Sequence, residues 1–268
     1  MSNVFLRNRE IYMHQFVLPR TYQGEQILHL DGEDFHYLIH VRRMEEGDSF
    51  AAISRDGIAY NAKIETIQKE AVAVSLHLKA SEEEKTTYKK NYSLLLVQSL
   101  PKGKKFETIL KQATELGVDE FIPIESENTI TRIIGYKDTE KKRNRWEKII
   151  ENAVQQSAAE KIPQLQQPVA LADIPEVGEK NEIGLFFHEK QLENTSLHGY
   201  LSNTYARIIA VIGPEGGFSN TDITILRQKG YRPVTFNGTI LRTETAAIAA
   251  LSCIKTIFEE QNVWRLKP

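Results

Sequence analysis

Up to residue 78 the chain runs in short segments of alternating apolar and polar residues, and this period of two predicts strands at 14–18, 26–30, 49–53, 58–67 and 71–78. Asp31-Gly32 and Asp56-Gly57 are turn signals between them. Short strands at this spacing predict a small β-barrel. From Tyr92 the pattern changes. Apolar, partly β-branched runs at 92–98, 120–124, 183–187 and 208–212 read as buried parallel strands, separated by helical spacing at 104–116, 140–159 and 220–229. That alternation predicts an open α/β sheet with helical crossovers. Between the two patterns, Ser81-Glu82-Glu83-Glu84-Lys85-Thr86-Thr87 has the composition of a linker, so the expected domains are 1–78 and 91–268 with a linker at 79–90. Residues 1–12 form a separate extension.

Two strand-to-helix junctions stand out. Val211-Ile212-Gly213-Pro214-Glu215-Gly216-Gly217-Phe218 closes the run at 208–212, where an open parallel sheet places its ligands. Glycines there let the backbone adopt positive φ and present N–H groups above the sheet edge, and Pro214 stiffens the approach. Ser219 and Asp222 form a capping-box signal for a helix that ends at Gly230. The second junction has a short strand at 233–236, a loop at Asn237-Gly238, then Thr239-Ile240-Leu241-Arg242-Thr243-Glu244-Thr245-Ala246 leading into a helix with the stripe Ala247, Leu251, Ile254 and Phe258. Two loops of one kind suggest one shared pocket. Taken alone, Gly-Pro-x-Gly-Gly is in most proteins only a loop. No Gly-x-Gly-x-x-Gly follows a strand and no Gly-Lys-Ser/Thr ends the glycine loop, so neither dinucleotide nor triphosphate is indicated. The residues by themselves reach as far as a small-molecule site at strand ends.

Composition narrows this little. The chain has 268 residues, 41% hydrophobic, enough for a sizeable core. A net charge of −2 means that a nucleic-acid partner would have to be met by a local basic face. The single cysteine, Cys253, lies within the last predicted helix, which excludes a disulfide framework or a zinc cluster of cysteines and suggests a small buried side chain. Arg7, Asn8, Arg9 and Glu10 interrupt the N-terminus where a signal peptide needs an apolar core, and no run reaches membrane-spanning length, so a cytoplasmic protein is expected.

Gly213-Pro214-Glu215-Gly216-Gly217 paired with Ile240-Leu241-Arg242-Thr243-Glu244-Thr245-Ala246 resembles the signature of the RsmE family of the SPOUT superfamily. The likeness continues through Leu100-Pro101-Lys102-Gly103-x-Lys105, Glu115-Leu116-Gly117-Val118, Arg145-Trp146, Gln156-Ser157, His36-x-x-x-His40-Val41-x-Arg43 and Gly47-Asp48. It covers nearly the whole chain from about residue 13, and several motifs in register are more specific than any one. The resemblance implies methylation of N3 of a uridine in 16S ribosomal RNA of the small subunit, with S-adenosylmethionine as donor and no metal. It implies a C-terminal α/β domain with a deep trefoil knot, an N-terminal PUA-like β-barrel that binds RNA, and a homodimer with sites near the subunit interface.

The same resemblance assigns the cofactor to His188, Ile212, Gly213, Pro214, Glu215, Gly216, Gly217, Asn237, Ile240, Leu241, Thr243, Glu244, Thr245 and Ala246, and catalysis to Arg242. Arg242 could stabilise a developing uracil anion or pair with a neighbouring carboxylate. Glu244 could orient it, touch the cofactor or complement a helix N-terminus; Thr243 and Thr245 are cap candidates. Glu215 could meet the cofactor's amine or stand in solvent. His188 occupies the expected first cofactor loop, where a lone histidine is otherwise usually on the surface. Lys102, Lys104 and Lys105, with Arg42 and Arg43, suit RNA phosphates, whereas Lys141-Lys142-Arg143-x-Arg145 reads more simply as a solvated helix face. The pattern also departs from the family: Thr239, Asn128, Ala159 and Gln15 stand where arginines are common, and Asn152 and Gln155 where glutamates are. Joint loss of both signs suggests an ion-pair network exchanged as a unit. It also leaves open an alternative, a non-catalytic RNA-binding ribosome-assembly factor that retains the cofactor fold.

Overall fold

The computed structural model describes residues 15–79, 90–131, 136–178, 181–236 and 238–260. The extension at 1–12 and nearly all of the predicted linker lie outside them. The chain forms two compact units, Met1–Glu84 with Val154–Ile162, and Lys85–Ala153 with Pro163–Pro268.

The first unit is a five-stranded curled sheet. Its elements are β1 (Phe16–Val17), β2 (Ile27–Asp31), a helical segment α1 (Gly32–Phe35) continued by a π-helical stretch (His36–Val41), β3 (Ser49–Ile53), β4 (Ala59–Ile67) and β5 (Ala71–Leu78). The strand order is β1-β3-β4-β5-β2, antiparallel except for β1 against β3. Period-two alternation puts Tyr60, Ala62 and Ile64 of β4, with Val72, Val74 and Leu76 of β5, into one core with Phe16, Leu30, Leu38 and Phe50. Asp31-Gly32 is not a hairpin turn. Gly32, at φ +53, opens the helical segment, whose Phe35 and Leu38 fill the core.

The second unit is a parallel α/β sheet: β6 (Ser93–Ser99), α2 (Lys105–Glu115), β7 (Glu120–Glu125), α3 (Tyr136–Ser157), β8 (Gln164–Leu165), β9 (Val169–Ala170), β10 (Glu182–Phe187), α4 (Leu197–Tyr200), β11 (Arg207–Ile212), α5 (Asn220–Gln228), β12 (Arg232–Val234) and α6 (Thr243–Glu259). The order is β12-β10-β11-β6-β7-β8, with β9 also beside β7. Leu95, Val97, Phe186, Ile209 and Val211 are buried beneath the helices, which is why these strands read as continuous apolar runs. Helix α3 ends earlier than its periodicity suggests, because Ala158 takes φ +52, a left-handed helix end with no glycine to announce it. The capping box of α5 is present, with Ser219 Oγ accepting from the Asp222 N–H and Asp222 accepting from the Ser219 N–H, and Gly230 at φ +87 terminates the helix. Phe236 and Thr235, expected in the last strand, have already left the sheet.

Candidate active site

Strands β10, β11 and β12 end at one level. Phe187 is in register with both Ile212 and Val234, so the three segments that follow rise side by side from the carboxyl edge of the sheet. They enclose a cavity of about 380 Å³ lined by Phe187, His188 and Glu189 from the first, Ile212, Gly213, Pro214, Glu215, Gly216 and Gly217 from the second, and Phe236, Gly238, Thr239, Ile240, Leu241, Arg242, Thr243 and Ala246 from the third. That volume lies in the range of small-molecule sites.

The two glycine-bearing segments are fastened to each other. Thr243 Oγ1 donates to the Gly213 carbonyl at 2.7 Å and accepts from Gln98 Nε2 at 3.1 Å, all within the buried interior. Thr243 is therefore a bridge between loops and not a helix cap. The N-cap position of α6 is Arg242, whose side chain makes no capping bond, and Thr245 is exposed. The turn itself closes through Gly217 N–H to the Pro214 carbonyl at 2.9 Å. Of its three glycines only Gly217, at φ +69, needs the left-handed region. Gly213 and Gly216 are closely packed: an added Cβ would lie 3.3 Å from the Phe218 ring and 3.2 Å from Asn128 Cβ, respectively, so the neighbour would have to shift by a few tenths of an ångström.

Two clamps hold the glycine turn from outside. On one side Asn128 Nδ2 donates to the carbonyls of Gly216 at 3.3 Å and Gly217 at 3.1 Å, while Glu127 accepts from Ser219 Oγ at 2.6 Å. This segment rests on a buried hydroxyl chain, Ser99 to Ser126 at 3.1 Å and Ser126 to Thr129 at 3.0 Å. On the other side Glu215 accepts from Lys105 Nζ at 2.9 Å and from the Lys102 N–H at 3.1 Å, and Lys105 also lies 3.7 Å from Glu244 in the first turn of α6. Partial burial pushes the Glu215 carboxyl up, but Lys105 and the backbone N–H groups of Glu215 and Lys102 outweigh it and leave it below the ordinary carboxylate range. The hydrogen bond to Glu215 in turn raises the Lys105 ammonium.

Arg242 is exposed at the rim, with no ion-pair partner among the described residues. His188 is buried, its N–H donating to the Val234 carbonyl at 2.9 Å, and its Nδ1 lies 3.1 Å from Glu189 Oε2 without the alignment of a hydrogen bond. Phe187 and Phe236 stack with centroids 5.1 Å apart and form one wall. Of the residues expected at the cofactor, Glu244 and Thr245 do not line the cavity and Asn237 lies outside the described residues. Phe187, Phe236, Gly238 and Thr239 also line the cavity, although no motif assigned them to it, and Glu189 lines it beside His188 in the expected first cofactor loop. For Glu189 the signal was its place after an apolar strand beside two other loops.

Lys102 and Lys104 are exposed next to the site, and Lys105 is engaged by carboxylates. In the first unit Arg42 lies 6.0 Å over the Phe50 ring, and Arg43 holds φ +55. The arginines of the α3 cluster are paired, Arg143 with Glu147 at 3.1 Å and Arg145 with Glu107 at 2.8 Å, in line with the solvated-face reading. Two departures from the family pattern meet: Gln15 Nε2 donates to the Ala159 carbonyl at 2.5 Å and its N–H to the Gln155 carbonyl at 3.1 Å. Cys253 is half-buried, less enclosed than expected, because it lies off the buried stripe of α6. Among the described residues there is no cluster that could hold a metal ion, and no helix is long and apolar enough to cross a membrane.

Comparison with known proteins agrees with this geometry. Residues 88–255 match the model of an RNA methyltransferase domain, and residues 30–76 that of an RNA methyltransferase PUA domain. The chain is similar to ribosomal RNA small subunit methyltransferase E of Aquifex aeolicus, 32% identical, covering 90% of this chain and 99% of that one. The corresponding protein of Bacillus subtilis is 29% identical, covering 84% of this chain and 88% of that one. A putative methyltransferase of Legionella pneumophila, solved in complex with the cofactor SAM, superposes with a TM-score of 0.76 at 29% identity and covers 91% and 97% of the two chains.

Proposed function

Because the chain belongs to the RNA methyltransferase family, with that family's PUA domain ahead of its catalytic one, we propose that it transfers a methyl group from S-adenosylmethionine to N3 of a uridine in 16S ribosomal RNA. The observation that carries this reading is the shared cavity at the ends of β10, β11 and β12, whose two glycine segments are joined by Thr243 and Gly213.

The cavity suits the cofactor. Gly213, Gly216 and Gly217 let the turn pack closely against Phe218, Asn128 and Glu189, the Phe187–Phe236 wall with Ile212 and Leu241 offers an apolar flank, and carboxylates stand within reach of a cationic ligand. Bound there, the cofactor supplies a methyl group on a sulfonium. The chain's part is to hold it beside the RNA and exclude competing water, which orientation alone makes worth several powers of ten in rate. Arg242, exposed at the rim and without an ion-pair partner among the described residues, is assigned to the uracil; its guanidinium donors would stabilise the anion that forms as N3 loses its proton. Lys102 and Lys104, with Arg42 and Arg43 of the first unit, are assigned to phosphates, and Lys105 to the loops it ties together.

The same reading carries an RNA-binding domain at 1–78, a linker at 79–90, a knotted methyltransferase domain at 91–268, a homodimer and a cytoplasmic location. Three of the four positions where arginine is common in the family, Asn128, Gln15 and Ala159, take part in neutral hydrogen bonds. Asn128 works as a clamp on the glycine turn, and Gln15 with Ala159 replaces charge by a neutral hydrogen bond. Titration calorimetry with S-adenosylmethionine tests the proposal. Micromolar binding by the wild type, lost in Gly217→Val, is expected; absence of binding in the presence of 16S RNA would overturn it.

A further inference from the structure

Two carboxylates line the cavity, and they differ in what neutralises them. Glu215 is compensated by the Lys105 ammonium at 2.9 Å and the Lys102 N–H at 3.1 Å. Glu189 has no lysine or arginine within ion-pair distance among the described residues; its neighbour is the imidazole of His188, whose Nδ1 is 3.1 Å away. Its side chain is 35% exposed and leans on the glycine turn, where a Cβ on Gly217 would come within 3.1 Å of Oε2. A negative charge thus faces a half-enclosed space with no fixed counter-ion. Such a charge lowers the energy of a cation in that space and raises that of an anion, and the effect grows as water is displaced. The one arginine among the lining residues, Arg242, is exposed at the rim.

We propose that Glu189 is a specificity-determining residue that reads positive charge on the ligand, favouring a cationic donor over an uncharged adenosine thioether. This rests on the cofactor reading above. It also gives the glycine at 217 a second purpose, since a side chain there would push against the Glu189 carboxylate.

Beside the α-carboxylate that both carry, S-adenosylmethionine has a sulfonium and an ammonium and S-adenosylhomocysteine an ammonium without the sulfonium, whereas 5′-methylthioadenosine has none of these charges. Calorimetric affinities of these three for the wild type and for Glu189→Gln, which keeps the shape and removes the charge, separate the possibilities. The variant is expected to lose about tenfold in affinity for S-adenosylmethionine, equivalent to about 1.4 kcal/mol, with 5′-methylthioadenosine unchanged. Loss for S-adenosylhomocysteine as well assigns the contact to the ammonium, and its retention assigns it to the sulfonium; both support the proposal. Equal loss for all three, or no loss for any, overturns it. Salt supplies a reading free of any variant: wild-type affinity for S-adenosylmethionine should weaken as sodium chloride rises while that for 5′-methylthioadenosine holds, and parallel behaviour would count against the charge-reading role. A wild type that binds none of the three removes the cofactor reading itself.

Discussion

The hydroxyl of Thr243 donates to the carbonyl of Gly213 at 2.7 Å, joining the start of the last helix to the turn that follows β11. One buried bond thereby sets the spacing of two walls of the cavity. Thr243→Val keeps the shape, strands the Gly213 carbonyl and removes one of the two acceptors of Gln98 Nε2, which keeps its bond to the Ser99 carbonyl at 2.8 Å. It should cost about 1–3 kcal/mol in urea unfolding and weaken cofactor binding more than the stability loss alone explains. Unaltered stability and affinity would show that other contacts fix the spacing.

Gly217 is the position in the turn that a side chain cannot occupy without strain, at φ +69. Gly217→Ala is expected to destabilise by about 1–2 kcal/mol and to reduce cofactor affinity. Gly216→Ala, at ordinary φ, must only displace Asn128 slightly. A larger penalty at Gly216 than at Gly217, measured by the same unfolding series, would refute this ordering.

Lys105 links Glu215 to Glu244, and the link has a pH window. Glu215 titrates below its ordinary range, so its contribution is present above that range and is lost as pH falls through its lowered value. Lys105 titrates above its ordinary range, so its contribution is lost only in strong alkali. Lys105→Met should therefore be less stable than the wild type at neutral pH, and the gap should close as pH falls through the lowered value of Glu215. A gap independent of pH in paired unfolding curves would mean that the lysine acts through packing.

Asn128 donates to the carbonyls of Gly216 and Gly217. Asn128→Ala should weaken cofactor binding severalfold, and Asn128→Asp, which cannot donate, should do the same. Retained affinity in both variants, by calorimetry, would reduce the clamp to a surface contact.

Much of the architecture was legible because it rests on local periodicity. The parallel strands are apolar throughout, and Ser219, Asp222 and Gly230 mark the ends of α5 in the residues themselves. The helical segment after Gly32 was hidden by a dipeptide that usually turns a hairpin, and the end of α3 by an alanine in a glycine-like conformation. In the site, the glycines and Arg242 were visible as motifs. The Phe187–Phe236 wall was not, because it arises only when three strand ends come level in the sheet. The same distance in sequence concealed the work of Lys105, which read as a free phosphate contact until Glu215 and Glu244 were brought to it.

The most direct test of the account supplies 16S RNA in small subunits lacking the modification with methyl-labelled S-adenosylmethionine, then resolves the RNA into nucleosides. The account predicts label in N3-methyluridine with the wild type, and its loss in Arg242→Ala despite undiminished cofactor affinity, since Arg242 is exposed and unpaired among the described residues. Label in a different nucleoside, no transfer by the wild type, or full transfer by Arg242→Ala would contradict it.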